Sequence, residues 1–188
     1  MRNFLIKFFY FLNVDRWGNS FKALLRDCYI YRLKLKGINL KFVEQGSGSV
    51  LITSINGNLS KFKIEETSHL KSNTFIDCTG GVYIGNYVHP GRGLTIFSAN
   101  HNYKTAKKIP YDDTIEEKPV AIKDFVWIGA NVSISPGVVI EEGSIIANGS
   151  VVVKDVPFCA IVGGNPATII GYRNIDKFLK LKNEKHFY

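Results

Sequence analysis

The chain has 188 residues, the size of one domain, which leaves room for a substantial core but not for a second independent catalytic domain. Its 17 glycines, single methionine, many β-branched and aromatic residues and lack of low-complexity tracts exclude a disordered or fibrous chain and point to an ordered, sheet-rich one. The formal charge of +8 allows nucleic acid, anionic lipid or a phosphorylated cofactor as partner, but no aromatic-interleaved RNA motif or recognition-helix pattern occurs, so nucleic acid is not expected.

The amino terminus, MRNFLIKFFYFLNV, imitates a signal peptide, yet Lys7 interrupts it, no small-residue cleavage site follows, and Asp15 and Arg16 come directly after. Its longest uncharged run, Phe8 to Val14, is far below the roughly 20 residues that span a bilayer, so the segment is expected to stay in the mature protein without crossing a membrane. Phe21, Leu24, Leu25, Cys28 and Leu35 then fall near one stripe at helical spacing, with Lys22, Arg26 and Arg32 largely elsewhere. Residues 1–45 are therefore expected to form a helical cap over the open start of whatever follows. Phe4, Phe8 and Phe11 are expected to pack against the protein, a membrane surface being the alternative.

From Ile122 onward an aliphatic or aromatic residue recurs every six positions: Ile122, Ile128, Ile134, Ile140, Ile146, Val152 and Phe158. Four residues after each stands a small or β-branched one: Val126, Val132, Val138, Ser144, Ser150, Val156 and Val162. Each hexapeptide thus supplies a short strand and a corner, with the large side chain pointing into a tube and Gly129, Gly137, Gly143 and Gly149 easing the turns. Three rungs make a coil of eighteen residues, and stacked coils give parallel sheets around an apolar interior that only neighbouring coils can cover. Upstream the pattern continues through Ile52, Asn58, Ile64, Leu70 and Ile76, shifts by two residues around Gly80 and Gly81, and resumes at Ile84, Pro90 and Ile96.

Between His101 and Ile122 the period fails, and the polar segment 102–119 reads as a loop thrown out of the solenoid. After residue 173, Asn174 precedes Ile175, Phe178 and Leu179 in a short basic helix, expected over 174–188, that caps the coil or crosses to a neighbour. Cys28, Cys78 and Cys159 are odd in number and form no C-x-x-C pair, which fits a reduced, cytoplasmic setting.

Four stretches, FIDCTGGVYIGNYVHPG, IFSANHNY, KPVAIKDFVWIGANVSISPGVVI and GSVVVKDVPFCAIVGGNPATII, resemble the hexapeptide-repeat acyltransferases, particularly the galactoside, maltose and polysaccharide O-acetyltransferases. The resemblance implies an all-β, left-handed parallel β-helix over 46–173, a homotrimer, and acetyl-CoA as cosubstrate for transfer to a sugar hydroxyl, with a surface polysaccharide or its precursor near the inner face of a membrane as the expected acceptor. His101, at the end of a rung before the loop, takes the place of the family's general base, which would accept the proton of the attacking hydroxyl. Asp77 lies three rungs below that of His101 and is a candidate for contacting the acceptor or orienting the base; Asn100 is a second acceptor candidate that could instead complete a corner.

For CoA the resemblance points to Trp127, Ala130, Asn148 and Lys154: the indole walling the thioester channel, the backbone at Ala130 and Asn148 bonding pantetheine, and Lys154 facing phosphate. Asn148 stands where the family usually has alanine, and Thr168 and Gly171 occupy positions where arginines are common, so Arg173 and Lys177 are expected to take over phosphate contact. His69, His89 and His186 include no pair five residues apart of the kind that metal-dependent relatives on this scaffold use, and no metal is expected. A serine acetyltransferase, a noncatalytic solenoid scaffold and a membrane adaptor are the competing readings.

Overall fold

The computed structural model describes residues 2–45 and 48–188, with the side chains of Asn3, Phe4 and Asp15 outside that description. From Val50 the chain winds upward through three parallel sheets. Sheet I stacks Val50–Thr53, Thr74–Asp77, Thr95–Phe97, Ser133–Ile134 and Val151–Val152; sheet II stacks Phe62–Ile64, Val82–Ile84, Val120–Ile122 and Val139–Ile140. Sheet III stacks His89–Pro90, Trp127–Ile128, Ile145–Ile146 and Ala160–Gly164, and ends in an antiparallel strand, Ala167–Tyr172. Below it Leu70–Lys71 lies against His89–Pro90 and pairs in parallel with Phe42–Val43.

The hexad frame accounts for the core. Ile122, Ile128, Ile134, Ile140, Ile146 and Val152 are each at most 1% exposed, and the residues four positions later are buried as well. Each buried aliphatic side chain contributes about 1.5–3 kcal/mol, and because successive rungs superpose, each covers the one below. The eighteen-residue repeat holds in the upper coils, where Trp127 pairs with Ile145 and Ser133 with Val151. Lower down the coils are twenty residues long, Phe62 pairing with Val82 and Phe75 with Thr95, and the first is longer still, Val50 pairing with Thr74. Two rung positions depart from the frame: Asn58 is exposed, and Phe158 is only half-buried, its ring meeting Phe178 across a corner.

Register also stacks the backbone conformations. At the corner from sheet III to sheet I, Asn73, Gly93, Asn131 and Gly149 all have positive φ; at the corner from sheet II to sheet III the column is Tyr87, Phe125, Gly143 and Cys159. Asparagine and glycine tolerate the left-handed region, whereas Tyr87 and Phe125 pay about 1–2 kcal/mol each to stand in it. Their rings stack face to face, 5.0 Å apart and 3° from parallel, which helps to offset that strain.

Segment 99–117 leaves the solenoid as an arm. Ala99–His101 pairs in antiparallel fashion with Ile115–Glu117, so the expected loop contains a returning strand, and the coil closes beneath it where Lys118 N–H donates to the Ser98 carbonyl at 2.8 Å. Gly80 sits against this base: a Cβ there would lie 2.0 Å from the Ser98 oxygen and 2.7 Å from the Lys118 nitrogen.

The N-terminal addition is longer than its sequence stripe suggested: α1 spans Arg2–Phe11 and α2 spans Val14–Leu35, joined at Asn13 in the left-handed region. The face of α2 turned to the coil is not the expected one. Leu33 is buried, Tyr29 and Ile30 are partly buried, and the Tyr29 hydroxyl both donates to the Ile52 carbonyl and accepts its N–H at 2.9 Å. Arg26 joins this face because its guanidinium pairs with Asp27 and Glu44 and lies over the Phe42 ring. Phe21, Leu24, Leu25, Cys28 and Leu35 are exposed, since an apolar stripe alone does not say which side meets the coil. Phe8 and Phe11 are exposed too, correcting the expectation that they pack on the protein. Phe4 lies outside the described side chains, as does the expected domain boundary at residue 46. At the other end α3 spans Ile175–Asn183, capped by the Asn174 side chain, which accepts the Lys177 N–H at 2.8 Å; residues 184–188 turn back along sheet III.

Candidate active site

His101 ends the outgoing strand of the arm with its ring exposed and stacked on Tyr111, centroids 3.9 Å apart and planes 16° from parallel. The arm is held in shape from below. Asn102 is buried, donates from Nδ2 to Asp112 and accepts from Thr105, while Asp112 also accepts the N–H of Thr114. These bonds, led by the one from Thr114, hold the Asp112 carboxyl below the usual range. Asn100 is exposed in the middle of that strand, opposite Glu116, and its side-chain oxygen accepts the His101 N–H, so it completes no corner.

Asp77 is buried and committed elsewhere. Its Oδ1 accepts the N–H of Thr79 at 3.0 Å and the Thr79 hydroxyl at 2.5 Å, and its backbone pairs with Phe97. Its place at the start of a corner turns the carboxylate into that turn rather than toward the arm.

A groove of about 950 Å³ runs along sheet III. Trp127, Ala130, Asn148 and Arg173 all line it; Lys154, Lys177 and His101 do not. Lys154 falls between sheet I and sheet II, above the corner from which the arm departs, because it follows Val151–Val152. The lysine that reaches the groove from α3 is Lys182, not Lys177. Arg173 is half-buried, its Nε donating to the Gly143 carbonyl at 2.5 Å, and burial lowers its pKa from the ordinary value.

The corner at Ala130 differs from expectation. Its N–H, counted as a pantetheine donor, already donates to Asn148 Oδ1 at 2.7 Å. An alanine at 148 would leave that donor free, so the bond is a direct result of the asparagine that departs from the family pattern. Beneath it, Gly91 and Gly129 let the coils approach: a Cβ on Gly129 would lie 2.6 Å from the Asn148 nitrogen.

The groove also holds residues that no local pattern in the chain brings together. His69 and His89 meet at a tilt, centroids 4.8 Å apart and planes 51° from parallel, Tyr188 meets His89 edge-on at 5.6 Å, and Phe187 packs on Tyr87 and Phe125. The available signal was the two-residue shift at Gly80 and Gly81, which makes that coil twenty residues long and sets position 69 under position 89. Burial first, then His89, Lys71 and Lys41, lowers the His69 pKa to about 4; burial and the same two lysines lower that of His89. Among the described residues no group of three or more His, Cys, Asp or Glu is arranged to hold a metal ion.

Residues 119–154 match the family described as bacterial transferase hexapeptide (six repeats). A chloramphenicol acetyltransferase of Klebsiella aerogenes is 32% identical over 121 residues, covering 56% of this chain and 58% of the relative. A galactoside O-acetyltransferase of Lactococcus lactis is 34% identical over 96 residues, covering 51% of this chain and 45% of the relative. The chain thus spans about half the length of these two curated relatives. A hexapeptide-repeat acetyltransferase of Vibrio cholerae O1 biovar eltor, solved with acetyl coenzyme A, superposes with a TM-score of 0.63 at 25% identity over 83% of this chain and 87% of its own. Residues 119–154 thus carry the hexapeptide-repeat pattern, and the chain is similar in sequence and in fold to acetyltransferases that include galactoside and maltose enzymes.

Proposed function

We propose that this chain is an O-acetyltransferase that moves an acetyl group from acetyl-CoA to a sugar hydroxyl, working as a left-handed homotrimer with His101 as general base. The observation that carries the proposal is the groove on sheet III, which gathers Trp127, Ala130, Asn148 and Arg173 along one wall. Pantetheine would lie from Trp127 upward past Ala130 and Asn148, with the indole beside the thioester and Arg173 toward the phosphates. The exposed Asn148 amide would turn aside to release the Ala130 N–H.

His101 and Trp127 belong to different faces of one chain, the arm leaving between sheets I and II while the indole stands on sheet III. A threefold ring sets the corner of one protomer against sheet III of the next, so that His101 and Lys154 reach the neighbour's groove together. That arrangement is the reason for proposing the trimer. In the reaction the acceptor oxygen attacks the thioester carbonyl as neutral His101 takes its proton; the carbon–sulfur bond breaks, and the proton passes to the departing thiolate. Stacking on Tyr111 fixes the ring plane during this transfer.

The reading places the enzyme in the cytoplasm against the inner face of a membrane, acting on surface polysaccharide or its precursor. Phe8, Phe9, Phe11, Trp17 and Phe21 are exposed alongside Lys7, Arg16 and Lys22, a composition suited to an anionic interface. No helix among the described residues is long and apolar enough to cross a membrane.

Titration calorimetry with CoA and an acetyl-CoA turnover screen over sugars, run beside His101→Ala, test the proposal. Absence of CoA binding at high concentration leaves a noncatalytic solenoid. Turnover of His101→Ala at the wild-type rate removes the base. Sedimentation with anionic vesicles that persists after deletion of residues 2–20 removes the membrane contact.

A further inference from the structure

The lower end of the groove has a chemistry that CoA, lying from Trp127 upward, leaves unused. Among the described residues four lysines and arginines line the groove, Lys41, Lys71, Arg173 and Lys182, and no aspartate or glutamate does. Lys41 and Lys71 sit at the bottom with His69 and His89, one coil or more below Trp127, and their positive charge adds to the burial that chiefly lowers both imidazole pKa values. Buried His69 Nε2 has no hydrogen-bond partner among the described residues. A buried polar atom with no partner costs free energy, which a ligand oxygen would recover once the ring turned to present that atom to the groove. Neutral imidazoles donate N–H to an anion without adding to the charge repulsion between the two ammonium groups, so two lysines and two adjacent histidines suit a multiply charged oxyanion.

We infer that this end of the groove seats the phosphate of a glycosyl diphosphate acceptor, held by Lys41, Lys71, His69 and His89, while the sugar extends upward toward the thioester beside Trp127. The inference rests on the proposed placing of CoA and specifies the substrate class for the same site. The shared chemistry is a sugar on a diphosphate, whether the diphosphate's other substituent is a nucleoside or a prenyl chain.

The test uses the full-length protein with inorganic pyrophosphate and CoA as separate calorimetric probes. The inference expects pyrophosphate to bind with CoA already present, Lys41→Ala/Lys71→Ala to weaken it at least tenfold, and CoA affinity to change less than twofold. Pyrophosphate should also shift the imidazole nitrogen resonances of His69 and His89 in the unsubstituted protein, a readout independent of how the variant folds. Pyrophosphate that fails to bind, or that CoA displaces, overturns the inference and leaves the CoA assignment standing. Pyrophosphate binding without CoA binding overturns the CoA assignment on which it rests. In turnover, a nucleoside-diphosphate sugar and a prenyl-diphosphate sugar in vesicles identify the source, and at least one should be acetylated tenfold more efficiently than the free sugar, with the gain lost through KM in the double variant. Equal efficiency on the free sugar overturns the inference.

Discussion

Asn148→Ala is expected to tighten CoA binding while slightly loosening the fold. In the wild-type chain the Asn148 amide oxygen holds the Ala130 N–H at 2.7 Å, and the same amide lies over Gly129, where a Cβ would come within 2.3 Å of it. Pantetheine can use that N–H only by displacing the side chain, and a hydrogen bond at such a site is worth about 0.5–1.5 kcal/mol net. Removing the internal competitor should therefore improve CoA affinity by roughly 2- to 12-fold. Because Asn148 is exposed, the accompanying stability loss should fall at the lower end of the same range. Asn148→Asp keeps the acceptor and adds a negative charge facing the ligand's phosphates, so it should bind CoA more weakly than wild type. Calorimetry on the three proteins at one ionic strength measures the series. Weaker CoA binding by Asn148→Ala would refute the reasoning, because it would make the amide a ligand for pantetheine rather than its competitor.

Ile128 is fully buried between coils that cannot collapse independently, so Ile128→Ala should cost about 2–5 kcal/mol in denaturant unfolding. Gly80→Ala should push the Ser98–Lys118 closure apart and lower acetyl transfer with little effect on CoA affinity, which steady-state kinetics and calorimetry separate. If the site spans two protomers, mixing and refolding inactive His101→Ala with inactive Trp127→Ala should restore part of the turnover; no recovery, with mixed trimers verified by mass, argues for a site within one chain. The His69 pKa lies at about 4 in the folded protein and near 6.5 when unfolded, so the unfolded state binds more protons between those values. Its contribution to stability is fully present above pH 6.5 and is lost as pH falls toward 4, so thermal unfolding of His69→Gln should depend less steeply on pH in that window.

The hexad pattern from Ile122 to Val152 determined the coil by itself, because a fixed six-residue period satisfies one packing geometry and each rung reports its own direction. The position of His101 before a break in that period likewise announced an excursion from the solenoid. Three things were decided only in the folded chain. Coil length sets which side chains stack across coils, and two added residues per lower coil bring His69 under His89. The face of α2 that docks was chosen by Tyr29, Leu33 and Arg26, whose partners Ile52 and Glu44 are distant in sequence. The Asn148 side chain closed a donor on the neighbouring coil, a contact across eighteen residues. Local sequence carries the period because each rung needs only its own side chains, whereas contacts between coils depend on register, which the summed length of every turn below them sets.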